Sequence, residues 1–331
     1  MTLRPCRALL AFATLLMLAT PASAADVLRL ALQKTGTASW EIAVIRAFGL
    51  DRAANLSLDV TELAAPEAGK IAIQGGSADI VVSDWLWVSR ARAQGAKLAF
   101  YPYSTGVGAV MTRDPAIRRV QDLAGRKIGV AGGPMDKSWL MLRAWALQNG
   151  IDLEKASTII YGAPPLIAEK ALEGEIDAAL EYWNFAVDLE GKGFVRAIDV
   201  AEAERALGAT GDVVVTGYVF NEDFAAKNAD ALARFLGAAR KAKNLLATDD
   251  RAWAAATQRL PGRDAATLAL YRRRFAEATP KRPIAAEAAD AATIYAALAG
   301  IGGEKLVGPG KTLDPGVFYK GPAPDTDGAT P

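Results

Sequence analysis

A 21-residue phrase stands twice in this chain. "APEAGKIAIQGGSADIVVSDW" runs from Ala65 to Trp85, and "APPLIAEKALEGEIDAALEYW" runs from Ala163 to Trp183. Five positions are identical at a constant offset of 98, including Pro66 with Pro164, Gly76 with Gly174, Asp79 with Asp177 and Trp85 with Trp183. The identities keep their order: "GKIAIQGG" and "PPLIAEKALEG" read as helices ending at glycine, and each aspartate then enters a strand that leads to the tryptophan. The flanking pattern repeats as well. "VLRLAL", a glycine-containing loop, a helix from Trp40, "LSLDVTEL", a short helix and "ADIVVS" make one series. "RKIGVA", a loop, a helix over Trp139–Asn149, "STIIYG", a helix and "IDAALEYW" make the other. The strands are continuous apolar runs rather than alternations, as in parallel sheets covered on both faces. The expected fold class is therefore α/β, with two copies of one β-loop-α-β-α-β unit.

Between the copies lies "YPYSTGVGAVMT" (Tyr101–Thr112), and "DVVVTGYVF" (Asp212–Phe220) follows the second. Both are β-branched and contain glycine, and they read as strands crossing between two lobes. Asn55 is placed to end a helix in the left-handed conformation. From Asn221 the chain is helical and alanine-rich. The expected division is 26–104 plus 217–320 for one lobe and 105–216 for the other. A tail over 321–331 is rich in Gly, Pro and Asp and is expected to be disordered.

Met1–Ala24 reads as a secretory leader, with Arg4 and Arg7, an apolar run, Pro21 and small residues before a cleavage point near Ala24. No later stretch reads as a membrane span. Without the leader the 38 basic residues become 36 against 37 acidic ones, so nucleic acid has no electrostatic footprint here. Cys6 is the one cysteine and the chain has no histidine. That excludes a Ser-His-Asp triad, a Cys-His pair and His-ligated zinc, and no cofactor or metal is expected.

Ligands of open α/β sheets sit beyond the carboxyl ends of the strands, beside helix N-termini. Copy one supplies Lys34, Thr35, Gly36, Ser39 and Trp40 there, then Asp84 and Trp85. Copy two supplies Gly133, Asp136, Lys137, Ser138 and Trp139, then Glu181, Tyr182 and Trp183. Two facing lobes place both sets on one cleft. The parts suit clasping: loop amides for anionic oxygens, rings for stacking, and Asp84 and Glu181 for an amine or hydroxyl. Asp79 and Asp177 read instead as turn chemistry. Trp85 and Trp183 fit either a pocket wall or a core, whereas Trp87 and Trp145 read as core.

The leader, "AFGLDRAANLSLDV", "AIQGGSADIVVSDW", "LAGRKIGVAGG" and "ALEGEIDAALEYW" together resemble the periplasmic substrate-binding proteins of ATP-binding-cassette importers, in the nitrate/sulfonate/taurine group that also includes binders of the thiamine pyrimidine precursor. The resemblance spans Asp26 to Phe220. It implies a two-lobed type II binding-protein fold with a two-strand hinge, closing on a small-molecule ligand. It also implies a monomer that docks on a permease at the inner membrane. Tyr218 joins the site residues on this ground. The chain departs from the group's pattern at Asn55 and at Trp183-Asn184-Phe185, where sulfonate binders often have Asp-Pro. Acidic Asp84 and Glu181 disfavour a simple anion such as nitrate and favour an aminosulfonate or aminopyrimidine. A periplasmic sensor subunit and a thiamine-pyrimidine-synthase-like enzyme are the alternatives on the same fold.

Overall fold

The computed structural model describes residues 24–322. The leader, apart from Ala24, and the tail from 323 lie outside the described residues. Among the described residues, ten strands form two five-stranded sheets. The first contains β1 (Asp26–Gln33), β2 (Leu56–Leu63), β3 (Ile80–Asp84), β4 (Leu98–Ser104) and, much later in the chain, a returning strand. The second contains β5 (Ala109–Thr112), β6 (Lys127–Ala131), β7 (Thr158–Gly162), β8 (Ala178–Glu181) and β9 (Val195–Asp199). The returning strand, β10 (Thr216–Asn221), completes the first sheet. The orders are β2-β1-β3-β10-β4 and β7-β6-β8-β5-β9. In each, three parallel strands from one sequence copy are followed by one antiparallel strand.

The offset of 98 persists in atomic detail. The amide of Asp79 donates to the Arg29 carbonyl at 2.8 Å, and its carboxylate accepts from the Arg29 amide at 2.9 Å. Asp177 does the same with Lys127, at 2.9 Å and 2.7 Å. Each aspartate thus extends the pairing of a first and third strand by one residue. Gly76 (φ 72°) and Gly174 (φ 74°) take the left-handed conformation that ends the preceding helices, where a Cβ is strained. Asn55, at φ 49°, is the one such non-glycine among the described residues.

The crossings differ from the continuous strands expected. β4 stops at Ser104 and β5 begins at Ala109, because residues 105–108 have left one sheet without yet joining the other. The return joins a ladder only at Thr216. Gly108 lies in the outward crossing, where its amide faces the Ser138 hydroxyl at 3.3 Å. A Cβ there would collide with the Glu181 carbonyl. Gly108→Ala should therefore cost about 1–3 kcal/mol in urea unfolding; wild-type stability would show that the crossing can shift freely.

Three buried apolar clusters result. One, with Leu30, Trp40, Phe235 and Tyr271, backs the first sheet. A smaller one, with Met111, Ile167 and Leu189, covers one face of the second. The third runs through both lobes: Trp85 and Val88, Trp139 and Leu140, Val213–Val215, and Ile294 and Leu298. The helix Ile284–Gly302 therefore also packs on Lys137–Gln148 of the second lobe. This helix corrects an expectation. Its 19 residues are long and apolar enough to cross a membrane by length and composition. Its apolarity comes largely from alanine, and it carries buried Glu287, which accepts from the Val214 amide at 2.8 Å, and buried Asp290, which pairs with Arg282 at 2.7 Å.

Candidate functional site

A cavity of about 430 Å³ opens between the two sheets at the carboxyl ends of their parallel strands. The first lobe contributes Thr35–Ala38 after β1, Pro66–Glu67 and Gly69–Lys70 after β2, Val82–Asp84 of β3, and Tyr103–Ser104 of β4. The second contributes Gly132–Ser138 after β6 and Tyr182–Phe185 after β8. Gly106, Gly108 and Thr216 bring in the crossings. The segments after β1 and β6 and the ends of β3 and β8 are equivalent parts of the repeat, whereas the helix start after β2 has no counterpart in the lining.

Of the expected residues, Thr35, Gly36, Asp84, Gly133, Asp136, Lys137, Ser138, Tyr182 and Trp183 line this cavity. Lys34, Ser39, Trp40, Trp85, Trp139, Glu181 and Tyr218 do not, and the reasons are geometric. Lys34 is exposed. Ser39 turns its hydroxyl back to the Gly36 carbonyl at 2.7 Å. Trp40 and Trp139 sit two residues inside their helices and Trp85 begins its own, all three on faces that pack into the cores. Tyr218 lies behind the wall and donates to Glu41 at 2.6 Å. Glu181 is wholly buried with both carboxylate oxygens unpartnered, and burial pushes its pKa well up. Sealed behind the wall, its carboxyl does not reach an amine in the cavity. The duplicated tryptophan has diverged: Trp85 is sealed, whereas Trp183 faces the cavity.

Asp84 and Asp136 cap the helices that begin beside them. Asp84 accepts from the Trp87 amide at 2.7 Å, and Asp136 from the Ser138 and Trp139 amides at 2.9 and 3.3 Å. Each satisfies a free helix-end donor and sets a negative charge against the positive dipole end. Burial raises the Asp136 pKa, opposed first by Lys137, whose ammonium lies 3.8 Å away. That ammonium also lies 4.8 Å from the centre of the Tyr182 ring. Burial, then the charges of Asp136, Glu67 and Asp84, hold the Tyr182 hydroxyl protonated. The helices Ala38–Ala47 and Trp183–Glu190 have no side-chain cap. In the first, the Ser39 and Trp40 amides donate to the Gly36 and Thr37 carbonyls at 3.1 and 3.0 Å, so it is the start of Trp183–Glu190 that offers N-terminal donors to a ligand's acceptor oxygens. The lining thus holds three carboxylates (Glu67, Asp84, Asp136) and two ammonium groups (Lys70, Lys137).

Sequence reasoning missed Glu67, Lys70, Tyr103, Met135 and Phe185 in this lining. Glu67 and Lys70 were within reach. The helix after β2 starts at Pro66, at the first helical position where proline is favoured, three residues before the expected start. Behind the wall, the Thr37 and Tyr103 hydroxyls share a 2.9 Å hydrogen bond. The Lys243 ammonium sits 3.8 Å from the Tyr103 ring centre and pairs with buried Glu41.

A family model described as NMT1/THI5 like matches residues 49–252. No curated protein matches the chain in sequence. Among solved structures, the chain is similar to the periplasmic aliphatic sulphonate binding protein SsuA of Escherichia coli. That likeness has 20% identity and a TM-score of 0.68, and covers 87% of this chain and 95% of that one. It is similar to the alkanesulfonate-binding protein SsuA of Xanthomonas axonopodis pv. citri, solved bound to MOPS, with 20% identity, a TM-score of 0.69 and coverage of 88% and 98%. The periplasmic nitrate-binding protein NrtA of Synechocystis PCC 6803 follows at 11% identity and a TM-score of 0.56, with 72% and 66% covered. At these identities the likeness establishes the fold: two α/β lobes of the periplasmic-binding-protein type.

Proposed function

We propose that this chain, which belongs to the NMT1/THI5-like family, is the substrate-binding component of an ABC importer that captures a small polar ligand between its lobes and hands it to a membrane permease. One observation carries the reading: the two walls of the cavity share matching parts of the repeat, the loop after the first strand and the end of the third strand of each copy, with the helix start after β2 added on one side. A cleft built this way closes by moving one copy against the other. The lobes are 26–104 with 217–320, and 105–216, and the protein acts as a monomer in the periplasm after leader cleavage near Ala24. The role is capture without turnover, in keeping with a chain that has no histidine and no cysteine but Cys6.

Three carboxylates against two ammonium groups make the lining formally anionic. A bare anion such as nitrate is repelled there. A ligand with an anionic end for the uncapped start of the helix Trp183–Glu190 and an amine or heterocyclic N–H for the carboxylates is favoured. The class is therefore aminosulfonate-like or aminopyrimidine-like, and the amine partners are Asp84, Asp136 and Glu67.

The test is thermal unfolding of the mature protein against taurine, alkanesulfonates, nitrate, aminopyrimidines, polyamines and amino acids. Ligand at a hundred times its Kd adds about 2.7 kcal/mol, a shift of several degrees. The expected result is a shift with one amine-bearing class. Conversion of that ligand to product would overturn the receptor reading. So would a flat panel together with no small molecule in the denatured extract.

A further inference from the structure

The geometry points to Arg263 and Asp188 as positioning residues for ligand capture: they latch the lobes in the closed arrangement although neither lines the cavity. Helix Trp183–Glu190 follows β8 of the second lobe and its Glu190 pairs with Arg196 there, yet Trp183, Asn184 and Asp188 reach the first. The Trp183 ring meets Trp40 and Tyr271 edge-on at 5.9 and 6.1 Å. The next residue, Asn184, accepts from the Tyr271 hydroxyl at 2.6 Å and donates to the Thr35 carbonyl at 3.3 Å. One turn on, both Asp188 oxygens accept from Arg263, at 3.0 and 2.7 Å. Trp40 and Tyr271 belong to the core behind the first sheet.

These contacts share one rigid helix, so rotating the second lobe about the crossings breaks them together. Trp183, Asn184 and Thr35 also line the cavity. The seam that must open is therefore one wall of the site, and Arg263–Asp188 fixes its outer end. Bidentate guanidinium–carboxylate geometry gives this end a defined orientation. A latch that holds the closed state without ligand raises the competent fraction, and the apparent Kd falls in proportion. That consequence for capture rests on the receptor reading; the latch itself does not, and its test needs no ligand.

The experiment is pulsed electron resonance on ligand-free protein carrying Cys6→Ser and spin labels at Ile71→Cys and Leu166→Cys, exposed positions on the two lobes. The parent should give one dominant distance. Arg263→Gln and Asp188→Asn should each raise a second, displaced population at least twofold, and the two changes combined should add little to either. Arg263→Lys, which keeps the charge, should return part of the parent distribution. Folding of each variant is checked by a cooperative melt, and the two single variants are independent routes to the same result. Distributions identical to the parent in both folded variants would overturn the latch. A parent already as broad as Arg263→Gln would overturn it too. A merely structural pair lowers the melting temperature without moving the distance.

Discussion

Replacing Trp183 with alanine is expected to weaken ligand capture by about 2 kcal/mol or more, as for a buried aromatic anchor. It should also cost the fold about 3–5 kcal/mol, as for a large aromatic removed from a core. The residue is in both places at once. One side of the ring lines the cavity, and the rest is sealed against Trp40, Tyr271 and Phe275 at centroid distances of 5.9, 6.1 and 6.4 Å, leaving it 8% exposed. Edge-on aromatic pairs contribute beyond their buried area, so truncation removes several contacts and leaves a hole between lobes. Trp183→Phe keeps a ring in the same seat and should recover more stability than affinity, since a smaller ring reaches less far into the cavity. Urea unfolding and ligand titration on the same samples separate the two effects. Lost stability with unchanged affinity would make Trp183 a core residue only. Trp85, its partner in the repeat, should give lost stability alone, because its side chain is fully buried away from the cavity.

That contrast shows where sequence reading reaches and where it stops. The repeat was legible because its signals are local. Gly76 and Gly174 end helices in a backbone conformation few residues tolerate, and Asp79 and Asp177 bond to a strand with a fixed geometry. The cleft was legible at Asp84 and Asp136 because an acidic residue before a helix is a cap, and a cap after a parallel strand stands at the ligand end of the sheet. One residue further along, the direction of a side chain depends on how the whole helix is rotated against its neighbours. Trp85 and Trp183 have the same local sequence signal and opposite surroundings. Glu181 read as a cavity acid for the same reason. It alternates on β8 with Leu180, whose opposite face enters the core shared by the lobes, and its own carboxyl is fully buried. The Glu41–Lys243 pair left no local signal at all, because the partners are brought together only when the helices Ala38–Ala47 and Ala229–Thr248 pack.

Lys243→Met tests that pair and should produce the strongest pH dependence of any single change in the molecule. Burial raises the Glu41 pKa from its ordinary 4.5, and Lys243 is the first of the groups opposing the rise. Burial likewise lowers the Lys243 pKa. Removing the ammonium leaves a buried carboxyl with only the Tyr218 hydroxyl as donor, at 2.6 Å, and its pKa climbs further. The folded variant then holds a proton that the unfolded chain has released. Its stability is fully present below the unfolded value near 4.5 and is lost as pH rises towards the folded value, by up to about 1.4 kcal/mol per pH unit. At pH 8 the loss should be about 3–5 kcal/mol, the usual cost of stranding one member of a buried pair, and at pH 5 much less. Glu41→Gln added to Lys243→Met should flatten the dependence, because nothing buried is left to titrate between those pH values at that point. Urea unfolding at pH 5 and pH 8 reads both effects, and a deficit equal at the two pH values would show that Lys243 acts by packing alone. The site should register the change as well. Lys243 lies over the Tyr103 ring, and the Tyr103 hydroxyl holds Thr37, the N-cap residue of the helix Ala38–Ala47 and part of the cavity lining. A buried charge pair far apart in sequence thus fixes part of one cavity wall, and loosening it should weaken capture even at pH 5, where the fold is largely spared.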